Sequence, residues 1–353
     1  MSENFTPLLS TTDWNEEWKG LQKARRKADD AHYWDERAKT FGRGDAPNAY
    51  VDAFIERIGI RPFESVLDMG CGTGALSVVL GTRGHPVIAA DFSPGMLDVL
   101  RQRLDAQGLG GVSPKLLSWE DDWEEQGLGV NAVDVALASR SLATADMKRS
   151  LMLLDSVARR RVCVTVAAGP SPRIDERALK AVGLDCLFSN DFQYAFNILL
   201  GLGIKPEVSY IESTREESFA SVQEAYEHYA RMVADATGQP GGCGTESCGV
   251  EDAGRGTGDA GCETEGAGRR DGRRPCGNGS GCGIRIAGQA RNDDGGETAE
   301  RRLQRWLEDH LVENPHVGRP DRDGLPEKAL RLDPPRKTTW AYLSWNTTMA
   351  LGH

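Results

Sequence analysis

At 353 residues, 39% of them hydrophobic, the chain has material for one large domain or for a domain with an elaborated cap. Its formal net charge of -11 and isoelectric point near 5.2 argue against a sequence-independent grip on nucleic acid, which needs a basic face to neutralise phosphates. The opening MSENFTPLLSTTDWNEEWKG lacks a basic start followed by an apolar core, and no apolar run approaches the ~20 residues of a membrane span, so a cytoplasmic, soluble chain is expected.

Asp13 to Phe41 is polar with spaced aromatics (Trp14, Trp18, Tyr33, Trp34, Phe41) and reads as two helices, followed by a third over Asn48 to Ile58. Ser65 to Met69 is a short apolar strand. It runs into Gly70-Cys71-Gly72-Thr73-Gly74, a glycine-rich turn that opens a helix to Gly84. Buried parallel strands that feed such turns hold nucleotide-like ligands at their carboxyl ends. A strand over Pro86 to Asp91 follows, then a helix over Pro94 to Gln107, with proline in its first turn and Gly108 just past its end. Strands at Pro114 to Ser118, Val133 to Ala138 and Val162 to Ala167 continue the alternation, which predicts an α/β, Rossmann-like, doubly wound and mostly parallel sheet.

The back half changes rhythm. Phe192 to Leu202 reads as a buried helix and Pro206 to Glu212 as a strand, while Val222 to Ala236 and Thr298 to Val312 are amphipathic helices. The aromatic, β-branched Thr338 to Asn346 reads as a closing strand, expected antiparallel at the sheet edge. Between the two amphipathic helices, from about Thr237 to Glu297, the chain is Gly, Arg, Asp, Glu, Thr and Cys with little to bury, and is expected to be a disordered insertion. It holds Cys243, Cys248, Cys262, Cys276 and Cys282, whose spacers are wider than those of structural zinc knuckles, so no metal is expected. The expected organisation is a helical lid over residues 1–60, a core over 61–220, a helical cap over 221–330 and the closing strand of the core over 331–353.

The sequence LDMGCGTG, with an acidic residue closing the next strand in IAADFSPGML, resembles the nucleotide-binding region of class I S-adenosylmethionine-dependent methyltransferases. A dinucleotide dehydrogenase would more often carry GxGxxG. YWDERAKTF, Tyr33 to Phe41, resembles the N-terminal lid of that family's small-molecule branch, of the quinone-biosynthesis type. The resemblance covers Tyr33 to Ala167 and, more weakly, the closing strand.

That resemblance implies S-adenosylmethionine as cofactor and a set of residues around it. Gly70, Gly72 and Gly74, with Cys71 between them, would let the methionine part lie against the main chain, and Asp68 would hold its amino end. Asp91 would accept from both ribose hydroxyls, with Phe92 and Met96 against the adenine. Ser118, Trp119 and Glu120 fall where the family contacts the adenine ring and its amino group, although Trp119 reads equally well as packing on Trp123. Ser139 would lie beneath the methionine part near the transferable methyl, and Tyr33 and Arg37 would reach the cofactor's carboxylate from the lid. Cys71 reads as a small filler rather than a nucleophile.

The implied reaction is methyl transfer to a small molecule by direct in-line displacement, with no general base identifiable. Base-methylating relatives carry (N/D)-P-P-(Y/F) after the fourth strand, where this chain has ASRSL, Ala138 to Leu142, so no nucleic-acid partner is expected. A cofactor-binding protein without transferase activity, and a nucleic-acid or protein methyltransferase, remain as alternatives, and the oligomeric state is left open.

Overall fold

The computed structural model describes residues 12–24, 31–39, 48–170, 172, 174–184, 188–189, 191–236, 297–321 and 325–347. The expected insertion, apart from its last residue Glu297, and with it Cys243 to Cys282, lies outside the described residues, as do Phe41 and Cys186.

The helices are α1 (Trp14–Ala24), α2 (Ala31–Ala38), α3 (Ala49–Ile58), α4 (Ala75–Thr82), α5 (Pro94–Gln107), α6 (Met147–Val157), α7 (Glu176–Ala181), α8 (Asp191–Gly201), α9 (Val222–Ala236) and α10 (Ala299–His310). The main sheet is built from β1 (Val66–Met69), β2 (Val87–Asp91), β3 (Val112–Leu116), β4 (Val133–Ser139), β5 (Ala158–Ala167), β6 (Glu207–Arg215) and β7 (Arg336–Asn346). Local chemistry sets the helix ends. Asn48 accepts from the Tyr50 and Val51 N–H groups at the start of α3, and Ser93 accepts from Met96 N–H at the start of α5. Pro94 occupies the first turn of α5, and Gly108 ends it in the left-handed conformation.

The strand order is β3-β2-β1-β4-β5-β7-β6. Neighbours from β3 through β5 are parallel, and β7 runs antiparallel to both β5 and β6. The closing strand therefore lies one position in from the edge rather than at it. Its burial explains why: Trp340 through Trp345 are all buried, which a one-sided edge strand cannot achieve. β3 begins and ends two residues before the expected Pro114–Ser118. Its parallel register with β2, Val87 to Val112 through Asp91 to Leu116, decides this and leaves Ser118 in the loop beyond.

Two apolar layers cover the sheet. One joins Trp18 of α1, Leu151 of α6 and Leu199 of α8 to Leu67, Val164 and Leu343. The other joins Phe54 of α3, Leu80 of α4 and Leu100 of α5 to Val66, Leu137 and Tyr342. Strand alternation sends successive residues to opposite layers. A third cluster packs α7, α9 and α10 through Leu179, Tyr229, Leu303 and Leu307, together with Phe219 and Leu332 of a small antiparallel sheet. Among the described residues no helix is long and apolar enough to cross a membrane.

Candidate functional site

The site is organised where β1 and β2 end. Gly70 and Cys71 donate their N–H groups to Ala90 O at 2.8 and 3.0 Å, which ties the glycine turn to the end of the neighbouring strand. Gly70, Gly72 and Gly74 all have positive φ, which costs L side chains about 1 kcal/mol or more. The glycines differ in surroundings. A Cβ on Gly70 would stand 2.2 Å from Ser141 Cβ, and one on Gly74 would stand 2.3 Å from Leu100 Cδ1, whereas one on Gly72 would meet nothing within 4 Å. Gly70 and Gly74 are therefore glycine for packing, and Gly72 borders open space.

Two carboxylates flank this turn, both almost wholly buried. Asp68, 2% exposed, accepts from Ser77 Oγ at 2.6 Å. Asp91, 6% exposed, accepts from Gly72 N–H at 2.8 Å and from Ser93 N–H at 2.9 Å. Burial pushes the Asp68 carboxyl up to about 6, and the Asp91 charge adds to that against the Ser77 hydrogen bond. Burial raises Asp91 too, opposed by the backbone N–H groups of Ser93, Gly72 and Phe92. Neither carboxylate forms an ion pair with a described residue. Buried carboxylates are normally paired, so this edge presents negative charge to whatever occupies it. S-adenosylmethionine, with a cationic sulfur and a cationic amino group, fits that donor set and the open face of Gly72. Asp91 retains acceptor capacity beyond these backbone bonds, as a ribose diol requires.

The other expected residues fall in three places. Cys71 is 8% exposed, and burial followed by the charges of Asp68 and Asp91 pushes its thiol well up, which leaves it unreactive. Phe92 is half-buried beside Asp91, whereas Met96 is 1% exposed within the core. Beyond β3, Ser118 Oγ donates to Glu120 and Ser118 N–H donates to Asp121. Trp119 packs at 5.5 Å on Trp123 and donates its indole N–H to Ser141 O at 3.0 Å, linking the β3 loop to the β4 loop. Tyr33 and Arg37 lie on α2, where the Arg37 guanidinium sits 6.0 Å from the Tyr33 ring centre.

Ser139, at the end of β4, belongs to a group that the sequence does not announce. The Tyr50 hydroxyl lies 2.7 Å from Ser139 Oγ and 2.6 Å from Thr165 Oγ1, joining α3, β4 and β5. Arg140 follows, with its guanidinium 4.2 Å from the Tyr50 ring centre. Asp35 was likewise unmarked: it accepts from Ser93 Oγ at 2.6 Å and Gly95 N–H at 2.8 Å, fastening α2 to the start of α5. These two bonds hold its carboxyl below the usual range. The only available signal was that an acid near a helix N-terminus is favoured, and no spacing rule connects residue 35 to residue 93. Two surface clefts, one lined by Asn15, Lys19 and Asp146 and the other by Trp123 and Val130, contain none of the expected cofactor residues.

Comparison with known proteins agrees with this geometry. A family model described as a methyltransferase domain matches residues 66–160, from the start of β1 into β5. An uncharacterized protein of Haemophilus influenzae is 31% identical over 208 residues, 58% of this chain and 75% of its own. Malonyl-[acyl-carrier protein] O-methyltransferase of Serratia marcescens is 57% identical over 43 residues, 12% of this chain and 17% of that enzyme. Magnesium-protoporphyrin O-methyltransferase of Rhodobacter capsulatus is 46% identical over 48 residues, 14% of this chain and 21% of that enzyme. With a parallel sheet ending in a glycine turn, buried acids on β1 and β2, and an antiparallel closing strand, the chain belongs to the class I S-adenosylmethionine-dependent methyltransferases.

Proposed function

We propose that the chain transfers the methyl group to a small-molecule acceptor by direct in-line displacement. The observation that carries this reading is the buried pair Asp68 and Asp91, with no ion-pair partner among the described residues, on either side of the open Gly72. In this reading Asp91 holds the ribose hydroxyls, Asp68 the amino end, and the main chain of Gly70 to Gly72 the methionine part. Phe92, Ser118, Trp119 and Glu120 border the adenine, Tyr33 and Arg37 approach from α2, and Ser139 lies beneath the methyl.

The bound cofactor supplies an already activated methyl on sulfur. The chain's own residues therefore have to align the acceptor and exclude water, which is where most of the rate arises in such displacements. A small-molecule acceptor is consistent with the extra helices α7, α9 and α10, which follow β5 and pack together as a separate apolar cluster. It is also supported by the Ser139-Arg140-Ser141-Leu142 sequence where base-methylating relatives carry their signature.

The test combines binding with transfer. Asp91→Ala is expected to weaken S-adenosylmethionine binding at least about tenfold by calorimetry, the worth of one or two hydrogen bonds to a charged group. Methyl-labelled cofactor incubated with a cell extract is expected to place label in the small-molecule fraction. Unchanged affinity, or label confined to protein or nucleic acid, would contradict the reading.

A further inference from the structure

Arg140 is held in place in a manner that neither folding nor cofactor binding accounts for. It follows β4 with φ +59, a left-handed conformation that arginine seldom adopts and that clusters at functional sites. The conformation is fixed locally: the Arg140 N–H reaches both Thr165 O at 3.2 Å and Thr165 Oγ1 at 3.1 Å.

The side chain then lies across an aromatic platform, 4.2 Å from the Tyr50 ring centre and 5.6 Å from that of Trp340. The two rings meet edge to face at 6.2 Å, and their residues are 3% and 8% exposed. The hydroxyl bonds of Tyr50 to Ser139 and Thr165 keep the platform rigid. A guanidinium stacked in this way keeps its in-plane N–H edges available for a planar, bidentate partner.

Among the described residues no carboxylate takes that position. Arg140 is exposed and makes no ion pair or side-chain hydrogen bond with a described residue. Arginines on the neighbouring strand are paired: Arg159 with Asp134, Arg160 with Glu64, and Arg161 with Glu207. In a chain of formal charge -11, a rigid cation left without a carboxylate among the described residues is informative.

Its position adds the rest. The next residue, Ser141, fills the space at Gly70 and donates from Oγ to Met69 O at 2.6 Å. Arg140 therefore stands beside the glycine turn, at the same sheet edge as Asp68 and Asp91 and opposite to them in charge. We propose that Arg140 anchors the methyl acceptor through an oxyanion, so that the acceptor is a small molecule bearing a carboxylate or a phosphate. This rests on the methyltransferase reading above.

The experiment uses the full chain and its Arg140→Gln and Arg140→Lys variants. Methyl-labelled cofactor and a deproteinised cell extract are incubated with each, and the small molecules are resolved on an anion-exchange resin. Label is expected in the retained fraction. Arg140→Gln should raise the half-saturating amount of that fraction about tenfold, as loss of a bidentate charged contact implies, with S-adenosylmethionine affinity unchanged by calorimetry. Arg140→Lys, which keeps the charge but not the fork, should fall between, and it decides by the same rise if the glutamine variant fails to fold.

Phosphatase treatment of the extract separates the two oxyanions: disappearance of retained label identifies a phosphate and persistence a carboxylate, and both support the proposal. Label in the unretained fraction or in none, or Arg140→Gln indistinguishable from the parent, would overturn it. Weakened cofactor binding in Arg140→Gln would also overturn it, by assigning the guanidinium to the cofactor's own carboxylate. A parent protein that does not bind S-adenosylmethionine would overturn the methyltransferase reading first and this proposal with it.

Discussion

Asp68→Asn should make the protein more stable at neutral pH while weakening its cofactor binding. The native carboxyl is raised from 3.8 to about 6, chiefly by burial and further by the Asp91 charge. In the unfolded chain it titrates near 3.9, so between these values the folded state holds a proton that the unfolded state has released. Stability therefore falls as pH rises through that window, and above it the carboxylate costs roughly two pKa units, about 3 kcal/mol. The amide escapes this cost but introduces an N–H for which the site has no evident acceptor, a loss of about 1 kcal/mol. The net gain should be about 2 kcal/mol at pH 7.5, shrinking below about 1 kcal/mol near pH 5 as the parent's own carboxyl takes up its proton. Denaturant unfolding of both proteins at several pH values measures this, and calorimetry should show S-adenosylmethionine bound more weakly by the variant. A variant less stable than the parent throughout pH 6 to 8 would refute the assignment of a burial cost to Asp68.

The glycines of the turn should separate by role. Gly70→Ala forces a methyl to 2.2 Å from Ser141 Cβ and should destabilise by about 3 kcal/mol or more, whereas Gly72→Ala meets open space and should lose only about 1 kcal/mol from its positive φ. Gly72→Ala should nevertheless lower cofactor affinity at least about tenfold, because the methyl occupies the face where the ligand passes; retained affinity would show that Gly72 does not border the cofactor. Replacing residues 237–296 with a short Gly/Ser linker should leave the melting temperature and cofactor affinity nearly unchanged, since α9 and α10 pack directly through Tyr229 and Trp306 at 5.4 Å. Loss of folding in that variant would give the segment a structural role.

Elements whose signals are local were legible in the sequence. The strand-turn-helix around Gly70 to Gly74, the proline and glycine bracketing α5, and both amphipathic helices α9 and α10 each carry their chemistry within a few residues. Elements decided by long-range pairing were less so. β5 starts at Ala158 and passes through Arg159, Arg160 and Arg161, a run that reads as polar. It stays in the sheet because Asp134, Glu64 and Glu207 neutralise those cations in turn. The closing strand's inner position is a matter of pairing, and the unbroken apolar run Trp340 to Leu343 was the available sign that both of its faces are covered.

The site divides along the same line, and the division has a chemical meaning. The acids proposed to face the methyl donor, Asp68 and Asp91, sit on β1 and β2, next to the turn, where the local motif positions them. The groups that border the proposed acceptor position, Tyr50, Ser139, Arg140, Thr165 and Trp340, come from α3, β4, β5 and β7 and meet only in the folded chain. A common donor can be held by a short, repeated motif, but an acceptor has to be matched by side chains gathered from distant segments. A motif therefore identifies what is given, while in the proposed reading the recipient is selected at the contact between residues 50, 140 and 340. The stacked guanidinium of Arg140 is the one part of that contact whose charge already names a chemical class.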